Sequence, residues 1–276
     1  MDAQELLAIA QAVVDEAEAL FLRGVGTLER HEKAPGEYVT DVDLRIEDYV
    51  RTTLIQLTGI SVYGEEHGGR LGSDPVWVID PIDGTANYAV GNPLCSILLS
   101  LLVDCRPVLA ISSLPLLGRR LSAWEGGGLQ VNGSPATPLR AADKDAKDKD
   151  IAQVGLSSLS SQTRCGYSTF TRHRLLARLS QTYLRPRVTG SVGVDLAFAA
   201  QGIFAGAISF SPHAWDNAAG ALLISEAGGV VTDIAGRPWT PESSGLVAGD
   251  AATHAVVLST MKMALLPEGD RADDQR

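Results

Sequence analysis

The sequence predicts an α+β protein. Two observations carry this. Amphipathic helical periodicity opens the chain and then gives way to a run of short strand patterns, and the later part alternates strand with helix. The chain has 276 residues, 45% of them hydrophobic and 20% charged. That suffices for one large or two modest well-filled units of ordinary globular composition.

The elements follow in chain order. Residues 4–22 repeat Leu6, Ile9, Val13, Ala17, Leu20 and Phe21 at three- and four-residue steps, which predicts a helix. A turn follows at Ala34-Pro35-Gly36. Residues 43–57 place Leu44, Ile46, Val50, Leu54 and Leu57 on one side of a second helix, capped by Asp41 or Asp43. Strands come next. One spans 60–63 and ends at Gly64-Glu65-Glu66; another spans 76–79 and stops at Asp80, because Pro81 denies a backbone donor. Residues 94–103 and 107–112 read as a hairpin, with further strands at 120–124 and 129–131. Gly126-Gly127-Gly128 reads as a turn, since it does not open a helix after a strand as a dinucleotide-binding loop does.

Residues 141–150 alternate charge without apolar periodicity and read as a solvated linker. The linker divides the chain into an N-terminal part, 1–140, and a C-terminal part, 151–266. The second part alternates strands at 151–155, 185–188, 203–209 and 230–232 with helices at 168–183, 191–201 and 214–227. Gly228-Gly229 closes the last of these helices. Residues 267–276 read as a frayed tail.

The formal net charge of -10 argues against nucleic acid or an anionic membrane as a main partner. No apolar run reaches the ~18 residues of a membrane span. The acidic opening Met1-Asp2-Ala3-Gln4-Glu5 lacks the basic flank of a signal peptide. Cys95, Cys105 and Cys165 form no metal pattern and read as buried thiols of a cytoplasmic protein. This charge sets a condition on any phosphate substrate: cations or local backbone dipoles must reverse the sign at its site.

Acids stand where regular elements end. Glu65 and Glu66 follow one strand, Asp80 and Asp83 another, and Asp43 and Asp216 open helices. The turn forced by Pro81 can expose the Ile82 carbonyl beside two carboxylates, which makes a small set of hard oxygen ligands suited to Mg²⁺. Gly84-Thr85 reads as the start of a helical turn whose free N–H groups can hold phosphate, with the Thr85 hydroxyl able to orient a water. Each piece has a plainer reading. Asp-Pro alone is a turn, Glu-Glu alone is surface, and Asp216 alone is a helix cap. The whole set, D-P-I-D-G-T after an apolar strand with G-E-E some 15 residues earlier, is specific.

Glu65-Glu66 in "YGEE", Asp80 through Asn87 in "DPIDGTAN", and Trp215-Asp216 with Ala218-Ala219-Gly220 in "WDNAAG" resemble the three motifs of the inositol monophosphatase family. "VTDVD" ending at Asp43 and "SEAGG" ending at Gly229 extend the likeness over nearly the whole chain, and "GAISF" with "HAWDNAAG" resembles the actinobacterial inositol-1-monophosphatase subgroup. The resemblance implies a layered αβαβα sandwich of the inositol monophosphatase and fructose-1,6-bisphosphatase type. It also implies a Mg²⁺-dependent, commonly lithium-sensitive phosphomonoesterase that often forms a homodimer, with two or three Mg²⁺ per site. Carried over by motif, Glu65, Asp80 and the Ile82 carbonyl bind one ion, and Asp80, Asp83 and Asp216 the second. Glu65 and Thr85, helped by Asp43, position and activate the attacking water. The Gly84 and Thr85 N–H groups hold the phosphate. Asp83, Asp216 and the helix start Gly190-Ser191 meet the inositol ring.

Two positions depart from the family pattern. Val192 is bulkier than the usual alanine, and Ser209 stands where many inositol-specific members carry a glutamate that binds ring hydroxyls. These departures widen the substrate range to other small esters, such as histidinol phosphate, fructose 1,6-bisphosphate and polyol or nucleotide phosphates. Ala86 follows "DGT" where histidinol-phosphate phosphatases of this superfamily often carry lysine. A non-catalytic regulatory member of the fold is the other alternative, but such a member is expected to have lost a metal ligand, and all are present. His213 is expected to brace its loop rather than act as a base. Arg172, Arg174, Arg178, Arg185 and Arg187 are expected to form a solvated face.

Overall fold

The structure is a computed structural model that describes residues 1–27, 31–34, 37–139, 151–159 and 165–265. Its described elements stack in five layers. Helices α1 (Ala3–Gly24) and α2 (Asp41–Thr58) cover the outer face of a seven-stranded sheet. The strands of that sheet run in the order β3 (Ser61–Gly64), β4 (Val76–Asp83), β5 (Ser96–Val103), β6 (Arg106–Leu114), β7 (Arg119–Trp124), β8 (Gln130–Val131) and β9 (Ser134–Pro135). β3 and β4 are parallel and the remaining pairs antiparallel. Helices α5 (Val192–Ala200) and α6 (Ala214–Glu226) form the middle layer. A five-stranded sheet follows, in the order β11 (Arg185–Arg187), β10 (Gln153–Leu156), β12 (Gly206–Ser209), β14 (Leu246–Gly249) and β13 (Val230–Thr232). α4 (Thr169–Leu179) and α7 (Ala251–Leu265) close the far side. A two-stranded ribbon, β1 (His31–Ala34) with β2 (Glu37–Val39), precedes α2, and the short α3 (Thr85–Ala89) follows β4. This is the αβαβα sandwich.

Period-two alternation divides the sheet's side chains between layers. Trp77, Ile79, Ile97, Leu99, Leu109 and Ile111 pack under α1 and α2, while Leu98 and Ala110 face the middle helices. In the second sheet Val247 faces α4 and α7, and its neighbours Leu246 and Ala248 face inward.

Several boundaries differ from the sequence expectation. Thr40, not Asp41 or Asp43, caps α2. Its hydroxyl accepts the Val42 and Asp43 N–H groups, and Asp43 returns a bond from the Thr40 N–H at 2.8 Å. β4 does not stop at Asp80. A register shift against β5 between Asp80 and Asp83 places one extra residue on β4, and this bulge absorbs Pro81. α4 ends at Leu179 rather than 183, because the Thr182 hydroxyl donates to the Leu179 carbonyl at 2.7 Å and accepts the Leu184 N–H at 3.0 Å. β14 and α7 had no counterpart in the sequence expectation. Of the cysteines only Cys95 is buried; Cys105 and Cys165 are partly exposed. The expected turn at Pro35-Gly36, the linker 141–150 and the tail 267–276 lie outside the described residues. No described helix is long and apolar enough to cross a membrane.

The middle layer is built from small residues, and its two helices meet closely at Gly220. A Cβ there would come within 2.4 Å of Leu196 Cδ1 and 2.5 Å of Leu196 Cβ, so α5 and α6 approach through a bare Cα. Gly220→Ala is expected to lower stability in urea unfolding. Overpacking costs about 1–3 kcal/mol, more than the up to about 1 kcal/mol of helix propensity that alanine returns. An unchanged unfolding midpoint would show that α5 and α6 have slack there.

Candidate active site

The ends of β3 and β4 and the openings of α5 and α6 meet in one place. Asp80 and Asp83 come from the bulged end of β4, and Asp216 from the first turn of α6. Each offers a carboxylate oxygen, and these oxygens lie within 4.8 Å of one another. Parallel pairing sets Gly64 opposite Ile79, so Glu65 emerges beside Asp80, its N–H donating to the Ile79 carbonyl at 3.3 Å.

The cluster is electrostatically tense. Asp80 is 1% exposed. Burial raises its pKa well above the ordinary carboxylate value, and the charges of Glu65, Asp216 and Asp83 raise it further. Burial, then Asp83 and Glu65, push Asp216 up to about 7, against a hydrogen bond from Ser211. Asp83 is also raised by burial, although four donors oppose the shift. An all-oxygen set of buried and half-buried acids that repel one another is a fitting seat for a hard divalent cation, which replaces repulsion with attraction.

Asp83 has a second task. The Val192 N–H donates to its Oδ1 at 3.0 Å, and the Gly193 N–H and Ser96 Oγ each donate to its Oδ2 at 2.9 Å, with the Ser191 hydroxyl joining them. The N-terminus of α5 is thus docked on an acid of β4, as its dipole favours. Asn87 adds a cross-tie, donating from Nδ2 to the carbonyls of Leu94 at 2.6 Å and Thr189 at 2.9 Å. Gly84 has φ 82°, and a Cβ there would lie 3.1 Å from the Leu94 carbonyl and 3.2 Å from Ser191 Cβ. Gly190, also at φ 82°, packs its Cα on Asn87.

Thr85 opens α3. Its hydroxyl donates to the Ile82 carbonyl at 3.0 Å and lies 3.5 Å from Asp43 Oδ1. The structure therefore brings together Glu65, Asp80, Ile82, Asp83 and Asp216, with Thr85 and Asp43 on one flank and Gly84, Gly190 and Ser191 on another. Sequence reasoning missed Ser96 and Ser211, whose hydroxyls hold Asp83 and Asp216. It also missed Glu47, a fully buried acid whose signal was its spacing of one helical turn from Asp43.

His213 stacks on Trp215, with ring centroids 4.3 Å apart and planes 7° from parallel, and Trp215 meets Tyr63 at 5.3 Å. This aromatic row braces the loop ahead of α6, as expected of His213. Ser209 is buried, and its Oγ accepts the Ser211 N–H at 3.2 Å. One expectation fails: Arg172 does not lie on a solvated face. It is 1% exposed and donates to the Ser158 carbonyl at 3.3 Å and Thr169 Oγ1 at 3.2 Å.

The layered fold is similar to that of the solved inositol monophosphatase from Anabaena (Nostoc). That likeness has a TM-score of 0.79 at 23% identity and covers 95% of this chain and 97% of that one. The model of the inositol monophosphatase family matches residues 2–265, and the chain belongs to this metal-dependent family. Among curated relatives, the probable inositol 1-monophosphatase ImpA of Mycobacterium tuberculosis is 45% identical over 255 residues, covering 91% of this chain and 92% of that protein. The inositol-1-monophosphatase ImpA of Mycolicibacterium smegmatis is 41% identical over 267 residues, covering 95% and 94%.

The raised acids link stability to pH. A carboxyl whose folded pKa is raised binds more protons folded than unfolded, so its contribution is present below the unfolded value of 3.8 and is lost as pH rises through the folded value, about 7 for Asp216. Without divalent cations the protein should therefore lose stability across that window, while a bound cation prefers the ionised cluster. The increase in Tm on adding Mg²⁺ is expected to be small near pH 5 and to grow toward pH 8. Melting curves with and without Mg²⁺ read this directly, and an increase independent of pH would contradict it.

Proposed function

We propose that this protein is a Mg²⁺-dependent phosphomonoesterase that hydrolyses inositol 1-phosphate to inositol and phosphate. The observation that carries the reading is the Asp80–Asp83–Asp216 cluster, two of its acids buried, joined by Glu65, in a chain matched along more than nine-tenths of its length by inositol-1-monophosphatases. Glu65, Asp80 and the Ile82 carbonyl would hold one ion and Asp80, Asp83 and Asp216 a second, with two or three ions per site. Bound Mg²⁺ supplies Lewis acidity, offsetting phosphoryl charge and acidifying a water. The cluster thus answers the problem posed by a net charge of -10, since its acids attract cations and the cations admit phosphate.

The chain's own groups do the rest. The Gly84 and Thr85 N–H groups open a helical turn and have no intrahelical partners there, so they receive phosphate oxygens. Glu65 and Thr85 orient the attacking water. The Thr85 hydroxyl donates to the Ile82 carbonyl at 3.0 Å, with Asp43 Oδ1 at 3.5 Å as a second acceptor to which its proton can turn. As the water oxygen bonds to phosphorus, the bond from phosphorus to the inositol oxygen breaks, and a proton from water neutralises the departing alkoxide. Asp83, Asp216, Gly190 and Ser191 line the side where the alcohol leaves. Ser209, already engaged with the Ser211 N–H, lacks the reach of a glutamate, which supports a pocket open to other polyol phosphates.

We read residues 1–140 and 151–266 as two parts of one catalytic unit, since the site draws on both. The family resemblance supports a homodimer, and three unpaired cysteines support a cytoplasmic setting.

Phosphate release from inositol 1-phosphate, glycerol 2-phosphate, histidinol phosphate, fructose 1,6-bisphosphate and adenosine 3′,5′-bisphosphate, with and without Mg²⁺, tests the reading. The expected result is Mg²⁺-dependent release that is fastest from inositol 1-phosphate. Preference for another ester would move the error to the pocket, and no release from any of them would sink the enzymatic reading. Asp80→Asn should lower kcat by about 10²–10³-fold or more while the metal-free protein stays folded, because it deletes one of the repelling charges. Near-normal kcat at saturating Mg²⁺ would overturn the site assignment.

A further inference from the structure

Glu47 lies one helical turn beyond Asp43 on the buried side of α2, and it is 0% exposed. A buried carboxylate is costly unless its oxygens are satisfied. Here the partners are specific. The Glu66 N–H donates to Oε2 at 2.7 Å and the His67 N–H to Oε1 at 2.9 Å. These are the two residues immediately after Glu65. Arg51, a further turn along α2, pairs with Glu47 Oε1 at 3.0 Å. Its guanidinium also donates to the carbonyls of Val62 at 2.8 Å and Gly68 at 2.7 Å, on either side of the Glu65 turn. The turn closes on itself through paired backbone bonds between Gly64 and Gly68 at 3.0 and 3.1 Å. Gly64 has no side chain where Glu47 docks, and a Cβ would lie 2.1 Å from Glu47 Oε1. His67 adds an outer contact to Asp48, Nε2 to Oδ1, at 3.0 Å.

We infer that Glu47 and Arg51 are positioning residues for Glu65: they hold the turn from Gly64 to Gly68 on α2 and so fix where the Glu65 carboxylate stands in the metal centre. The inference rests on the catalytic reading of Glu65 above. α2 then acts as a spacer. Asp43 reaches Thr85, and Glu47, about 6 Å further along the axis, holds the turn that carries Glu65. The two groups assigned to the attacking water are registered against one rigid element. Groups that orient metal ligands from behind typically contribute 10–100-fold to affinity or rate.

Glu47→Gln tests this at constant volume. Both oxygens of Glu47 accept from N–H donors, so the amide must turn its own NH₂ toward one of them and lose an anchor. In the metal-free variant, amide exchange at Glu66 and His67 should quicken by about tenfold or more. By calorimetry without substrate, Mg²⁺ affinity should weaken about 10–100-fold. With saturating Mg²⁺, kcat should fall while KM for inositol 1-phosphate moves less than about threefold. Arg51→Lys, at a partly exposed position, should give the same signs at smaller size and keeps the test open if Glu47→Gln does not fold. Val257→Ala, on the buried face of α7, serves as a stability control, expected to lower Tm with Mg²⁺ affinity and kcat unchanged. If Glu47→Gln and Arg51→Lys weaken Mg²⁺ binding no more than Val257→Ala does, the inference is overturned. Glu65→Gln, measured in parallel, separates the two claims. If it loses Mg²⁺ affinity and kcat, the catalytic reading stands whatever Glu47 shows; if it loses neither, both claims fall.

Discussion

Four carboxylates share one small, poorly hydrated space, and the rest of the structure answers their repulsion. Oxygens of Asp80, Asp83 and Asp216 lie within 4.8 Å of one another, and each fully ionised pair among these three is unfavourable by about 3–4 kcal/mol at an effective dielectric of about 20. A fold that relied on these residues for its own cohesion would spread them apart. This one takes its cohesion elsewhere, from the apolar cores in the gaps between layers, and delivers the acids to a common point on the ends of elements those cores hold rigid. The tension is the readiness to take a cation.

The delivery is redundant. Asp83 meets the first N–H groups of α5, Asn87 ties α3 to the segment before α5, and the row Tyr63–Trp215–His213 ties the exit of β3 to the entry of α6. Each tie joins the first sheet, or the short helix that follows β4, to a segment leading into the middle layer. The same groups that bring the halves together therefore set the distances among the acids, and the packing of Gly220 on Leu196 fixes the relative height of the two helices involved.

Much of this was legible in the chain, and the exceptions share a cause. Helix periodicity found α1 and α2 because each has one apolar stripe to bury, whereas α6, buried nearly all round between two sheets, was legible only as a small-residue run closed by Gly228-Gly229. The site was legible because its chemistry is concentrated in a few contiguous residues, Asp80 to Thr85. Features that depend on a distant partner were not. The continuation of β4 past Pro81 exists only against β5. β14 is four residues long, lies between two other strands and shows no alternation. Arg172 read as solvent-facing because charge ordinarily is, and Glu47 drew no reading at all; only the tertiary structure supplies the carbonyls and N–H groups that receive them. Ser96 and Ser211 are small polar residues whose importance lies wholly in which acid they face.

The bulge in β4 has a consequence of parity. In a regular strand, residues three apart point to opposite sides of the sheet. Asp80 and Asp83 are three apart, and an uninterrupted strand would send one toward α1 and α2 and the other toward the middle layer. The single additional residue at Pro81-Ile82 changes an odd count to an even one, and both acids arrive on the same side. A one-residue deletion in this segment would leave the hydrophobic content of the chain almost untouched and the layers intact, yet the pair would be divided by the thickness of a sheet. Here the length of the motif matters as much as its chemistry: aspartates at the right positions make a site only because the ruler between them skips a mark.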